Sequence, residues 1–402
     1  MGHAHAAEQK LENPGSLKAS TTMTGVFGVF VLIGLITFFT VYSSNPALAW
    51  TAYLKAHFFF LAISMGAMFF LAIHWITTSM WSTPVRRLAE GFTAYLPFIL
   101  VSTGILFLGA HTLYPWTHSE NVIGDPVLEG KAGYLNLTFF IVRSMIAILL
   151  WNFFRKKLVG SSLNTDKGAD FKQVYNSNRV WSVAFLVVFA LTFTMAAIDE
   201  LMSLDPHFFS TMFGVYIFAG SFQSFYATLA IVTIIMRRTG YLKDMVNENH
   251  IHDIAKMMFA FTVFWAYTGF SQYMLIWYAN MPEETGFFLL RFNPGWEMWS
   301  YVLFAAKFVI PFFLLLPRGN KRCEELVFGT AVWVLLTEYF DLNWIIQPQF
   351  RPAGPELAFS DVGVWLGFLG VFGLLVTRFY RKHDLVPMKD PYLADSVFRH
   401  HI

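Results

Sequence analysis

Ten apolar runs, each close to the length that crosses a membrane, constrain this chain more than any other feature. A hydrocarbon core of ~30 Å takes about twenty helical residues, and such runs stand at 24–43, 56–80, 93–113, 135–154, 180–198, 208–236, 255–279, 298–316, 326–346 and 359–380. Lipid offers no partner to a free N–H or C=O, so runs of this kind become helices. The sequence therefore predicts an all-α integral membrane protein of about ten transmembrane helices. Composition agrees, because 56% of the 402 residues are hydrophobic and only 13% charged, against about 25% charged in soluble domains. The 45 Phe, 16 Tyr and 13 Trp suit a lipid-facing surface with aromatic residues at its interfaces.

Lys and Arg set the orientation. With residue 1 on the cytoplasmic side, cytoplasmic segments hold 22 of them, against four outside (Lys55, Lys131, Arg291, Arg351) and two within spans (Arg143, Lys307). That asymmetry alternates correctly at every loop and predicts an even helix count with both termini cytoplasmic. The chain divides into an N-terminal tail (1–23), a transmembrane domain (24–380) and a C-terminal tail (381–402). Spans 2–5 and 6–9 can form two four-helix groups, with spans 1 and 10 peripheral. "NPALAW" (45–50) resembles a cleavage site after an apolar run. The longest loops, 114–134 and 155–179, leave no room for a soluble domain.

Several chemistries are excluded. A single Cys323 permits no internal disulfide, no cysteine-ligated iron–sulfur cluster and no C-x-x-C-H haem attachment. Neither G-x-x-x-x-G-K-[ST] nor G-x-G-x-x-G occurs. A net charge of +2 gives no field that would gather nucleic acid. The expected surroundings are lipids and other membrane proteins.

Charge at membrane depth is expensive and points to function. Arg143, Lys307 and Glu338 fall at similar levels in spans 4, 8 and 9, counting ~1.5 Å per residue. Two cations and a carboxylate at one level can meet, either as a structural ion pair or as a proton-loading cluster. Pro311 cannot donate to the carbonyl of Lys307, so the helix is expected to break there. His74 lies in the inner half of span 2, while His57 and His111 lie near the outer ends of spans 2 and 3. Their levels suit a proton relay or hydrogen-bonded packing better than paired haem ligands. In span 7, Tyr267, Ser271 and Tyr278 share a face with Thr268 and Gln272 adjacent; such a row packs helices or carries a water wire.

"AAIDELMSLDPHFFST" (196–211) places Asp199, Glu200, Asp205 and His207 where span 5 ends and span 6 begins. Asp205 followed by Pro206 fits the cap of span 6, and the group also fits an outer proton exit with Asp341. "DELMSLDPHFFSTMFGVYIFAGSF" (199–222), followed by "GFSQYMLIWYANMPEET" (269–285), resembles the ActF subunit of alternative complex III, a quinol:cytochrome c oxidoreductase of bacterial inner membranes. The family commonly has an aromatic where this chain has Glu200 and Trp where it has Phe208.

The resemblance implies an NrfD-like, multi-pass, non-catalytic subunit that binds no cofactor and supplies proton half-channels and a scaffold. It implies a similar ActC-type membrane subunit at the quinol site. Multihaem and monohaem cytochrome c subunits, an iron–sulfur subunit and small membrane subunits complete the assembly, and a terminal cytochrome oxidase is a further partner. Haem c and iron–sulfur clusters then belong to those partners, with menaquinol or another quinol as substrate. On this reading the inner path uses His74 and hydroxyls, the middle Arg143, Lys307 and Glu338, and the exit Asp341, Asp199, Asp205 and His207. Two other readings stand beside it: a subunit that itself oxidises quinol, and a stand-alone proton-coupled transporter.

Overall fold

The computed structural model describes residues 11–355 and 358–398; His3, His5, Lys10 and Arg399 lie outside them. Among the described residues every regular element is helical. The long segments are α1 (Thr21–Ser44), α2 (Pro46–Ile76), α3 (Met80–Leu113), α4 (Leu137–Asp166), α5 (Phe171–Leu204), α6 (Phe213–Arg238), α7 (Glu248–Ala279), α8 (Glu297–Leu315), α9 (Glu324–Ile346) and α10 (Phe359–Lys382). Eight of these, all but α7 and α9, are long and apolar enough to cross a membrane. α7 and α9 have 32 and 23 residues. Their hydropathy is diluted by Trp265, Tyr267 and Gln272 in α7, and by Glu338, Asp341 and Asn343 in α9.

Local signals set where the helices begin. Asn45 accepts from the Leu48 amide at 3.1 Å and Pro46 opens the first turn, so α2 starts ten residues before the apolar run read from sequence. "NPALAW" is thus the capped start of a helix. Asn136 caps α4 by accepting from the Phe139 amide, and Asn247 with His250 closes a capping box on α7. The expected cap on α6 is absent. That helix begins at Phe213, the turns of residues 205–212 intervene, and the Asp205 carboxylate accepts from Gln349 Nε2 at 2.7 Å. Asp–Pro fits a turn as well as a helix start, and here the turn prevails.

α2 and α6 form the interior. α2 packs against α1, α3, α5, α6, α9 and α10, while α6 packs against α2, α5, α7 and α9. α4 lies on α3 and α5, and α8 lies on α7 and α9. α1 lies chiefly along α10, and leaves Leu32, Leu35, Ile36 and Phe39 exposed.

The α1–α10 seam exists because glycines let the backbones touch. A Cβ on Gly34 would stand 2.3 Å from the Gly367 Cα, and one on Gly370 would stand 2.6 Å from the Phe27 carbonyl oxygen. Small residues at the contact are the usual basis of helix pairing in lipid. The segments flanking α1 and α10 join the same seam: the Leu17 amide donates to the Tyr380 carbonyl at 2.9 Å and the Leu385 amide to the Gly15 carbonyl at 3.0 Å. Gly367→Val is expected to lower stability by about 1–3 kcal/mol through overpacking. Gly25→Val, with nothing within 4 Å of its new Cβ, is expected to leave the thermal unfolding midpoint in detergent nearly unchanged.

Candidate functional site

α9 presents polar side chains on two faces. Glu338 and Asp341, three residues apart, look toward α8, while Tyr339 and Asn343, four apart, look toward α2 and α10. On the first face the Lys307 ammonium sits between both acids, 2.6 Å from Glu338 Oε2 and 2.5 Å from Asp341 Oδ2. Lys307 has no exposed surface, and both acids are buried. Asp341 also accepts from Tyr216 Oη at 2.5 Å and Trp265 Nε1 at 2.9 Å, and the Trp265 ring lies 4.6 Å from the ammonium. Gly220 makes room for Glu338, since a Cβ there would come within 2.9 Å of its carboxylate.

Pro311 does not break the helix as the sequence led one to expect, but it is preceded by an irregular turn. Residues Ala305–Val309 form a π-helical turn just before it, and Lys307 is the middle residue of that turn. Loss of the proline N–H loosens the helix where the buried ammonium needs to lean inward.

The three-way meeting expected of Arg143, Lys307 and Glu338 is not what forms. Arg143 binds Asp199 in a bidentate pair, Nε to Oδ2 at 3.0 Å and Nη2 to Oδ1 at 2.9 Å, and also donates to the Tyr134 carbonyl. Asp341, expected at the exit, takes the remaining place beside Lys307. The spacing gave a common level but could not say which helices are neighbours. Burial comes first, and the nearby Asp199 second, in pushing the Tyr134 hydroxyl up to about 12.

A second buried group was not singled out from the sequence. Lys55, counted there as an outer-loop cation, has no exposed surface and donates to Asp361 Oδ1 at 2.5 Å and Asn343 Oδ1 at 2.8 Å. Two residues on, His57 places Nδ1 2.9 Å from Ser102 Oγ and Nε2 3.5 Å from Glu200 Oε2. The available signal was Asn45–Pro46: a helix starting there carries Lys55 more than two turns inward. Arg291, also counted as an outer cation, is buried and donates to the carbonyls of Trp344 and Ile345, satisfying the end of α9.

The acid-rich stretch 196–211 thus divides among separate partners: Asp199 to Arg143, Glu200 to His57, Asp205 to Gln349 and His207 to Asp125. The last pair is on the surface. There the His207 ring first, and the Leu128 amide second, hold the Asp125 carboxyl below its usual range.

On α7 the inward face differs from the predicted one. Tyr267 and Tyr278 are 63% and 83% exposed, Ser271 is half-buried, and Thr262, Trp265, Thr268 and Gln272 are buried. Helical spacing groups residues by face, and only the partners decide which face turns inward. His74 is half-buried against Phe70 and Trp81, with ring centroids 4.0 and 5.1 Å away.

Beside the Lys307 group lies an almost wholly apolar cavity of 410 Å³, bounded by Tyr216, Trp265, Gln272, Tyr273, Phe288 and Trp344 among others. The buried Gln272 Oε1 has no hydrogen-bond partner. Among the described residues no three His, Cys, Asp or Glu side chains could hold a metal ion together. Compared with protein-family models and with curated proteins, the chain matches none.

Proposed function

We propose that this chain is a cofactor-free subunit of a membrane complex that oxidises quinol and reduces cytochrome c, and that it carries protons rather than electrons. The observation that carries this reading is the buried ammonium of Lys307 shared by two carboxylates. One positive charge faces two potential negative ones, so a single proton balances the site and its departure unbalances it. Asp341 has three donors on its two oxygens. Glu338 accepts from the Lys307 ammonium, while the Ser224 hydroxyl donates to the Gly220 carbonyl at 2.9 Å. Glu338 is then the residue that takes up and releases the proton, and Tyr216 links the site to the cavity.

In this reading α7 and α9 span the bacterial inner membrane with the other eight helices. Both termini are cytoplasmic, and α2–α5 and α6–α9 form two groups with α1 and α10 outside. Arg143–Asp199 and Lys55–Asp361 are structural locks. The partners are the ActC-type, cytochrome c and iron–sulfur subunits that the resemblance to ActF implies. A second reading, in which this chain itself takes quinol, is favoured by one feature: the aromatic cavity with the unpartnered Gln272 Oε1 beside Asp341.

The test is purification of the tagged full chain from its native membranes in mild detergent. Haem c absorbance, iron and quinol:cytochrome c reductase activity are expected to travel with it. A chain that emerges alone, without haem or iron, would remove the subunit reading and leave the transporter.

A further inference from the structure

Where α3, α4 and α10 meet, near the α4–α5 connection, two cavities of 740 and 570 Å³ share Lys156, Gly160, Leu163 and His383 as walls. Six cations line them: Arg155, Lys156, Lys157, Lys167, Arg378 and Lys382. No acid lines either cavity, and none of the six forms an ion pair among the described residues. The Arg155 Nε is buried without any partner. Three arginines on the same side of the chain are, by contrast, neutralised: Arg86 by Asp390, Arg87 by Glu90 and Asp166, and Arg238 by Glu324 and Glu325.

Helix polarity explains only part of this. Lys382 and Lys167 sit at the carboxyl ends of α10 and α4, where cations are favoured, but Arg155 and Lys156 lie about three turns before the end of α4. The trough is also half apolar, with Phe98, Val159, Val371 and Leu375 along it. Gly160 leaves open space, with nothing within 4 Å of where its Cβ would be. Burial first, then Arg87 and Lys382, hold His383 below its usual range.

We infer that this trough is a binding site for an anionic phospholipid, with phosphate among Arg155, Lys156, Arg378 and Lys382 and acyl chains on the apolar walls between α3, α4 and α10. Basic pockets between membrane helices on the cytoplasmic side suit such headgroups. An aqueous phosphate would leave the apolar half uncovered, and a zwitterionic lipid would leave the cations unpaired.

The experiment uses the full chain in detergent, with lipid retention read by native mass spectrometry and thermal unfolding read against added cardiolipin, phosphatidylglycerol, phosphatidylcholine or glycerophosphate. The anionic lipids are expected to be retained and to raise the unfolding midpoint saturably, and the other two are not. The variant Lys156→Gln/Arg378→Gln/Lys382→Gln changes only exposed residues, and is expected to fold normally and bind anionic lipid about a hundredfold more weakly. Lys243→Gln, on the exposed α6–α7 connection, is expected to bind as the native chain does. Equal stabilisation by phosphatidylcholine or by glycerophosphate would overturn the proposal. So would unchanged binding in the triple variant, an equal loss in Lys243→Gln, or crosslinking of Lys156 in native membranes to an acidic protein segment in place of lipid.

Discussion

Replacing Lys307 by Met is expected to lower stability by about 3–5 kcal/mol, because it leaves two carboxylates buried together with no cation between them. Met keeps most of the side-chain length, so little of the loss comes from a cavity. The loss falls instead on Glu338 and Asp341, which keep their places 2.6 and 2.5 Å from an ammonium that is no longer there. The measurement is denaturant or thermal unfolding of the full chain in detergent. Lys307→Met/Glu338→Gln/Asp341→Asn has no uncompensated charge and is expected to regain most of the stability. If Lys307→Met unfolds like the native chain, the ammonium is not the counterion of this site.

On the function proposed above, replacing Glu338 by Gln is expected to abolish proton translocation through this chain while quinol oxidation continues. The amide accepts a hydrogen bond from Lys307 as the carboxylate does, but it cannot take up or release a proton. Stability is expected to hold, because Asp341 still faces the ammonium at 2.5 Å and the remaining pair is balanced. Had Glu338 been the only counterion, the same substitution would have stranded a buried cation. The measurement is the proton-to-electron ratio of the reconstituted complex beside its assembled yield. An unchanged ratio at normal yield would take Glu338 out of the path, and a collapsed yield would make the pair a lock.

The helices were legible in the sequence because a membrane imposes length and apolarity on every span, and both survive without any knowledge of neighbours. Helix starts were less so: Asn45 and Pro46 cap α2 ten residues before its apolar run begins, so Lys55 reads as a loop cation although it is buried within the helix. At the site, the meeting of Lys307 with Glu338 and an irregularity of the helix near Pro311 could be read, since the levels and the proline each depend on position along one helix. The partnership of Arg143 with Asp199 could not be, because it depends on α4 lying beside α5 rather than α9. The same limit hid Lys55–Asp361, whose members stand 306 positions apart. On α7 the spacing gathered Tyr267 and Ser271 correctly onto a face and could not tell that Trp265 and Gln272 would turn inward.

The glycine seam between α1 and α10 has a consequence for how the molecule is made. α1 leaves the ribosome ahead of α10, and eight long helices are made between them. Until α10 follows, Gly34 has no Gly367 to meet, and the first helix waits in lipid with its contact stripe uncovered. The seam therefore closes only once α10 is in place, and its closure joins the segments that flank the two helices, Leu17 to Tyr380 and Gly15 to Leu385. A chain truncated before α10 leaves α1 held chiefly by α2, with its glycine face open to lipid.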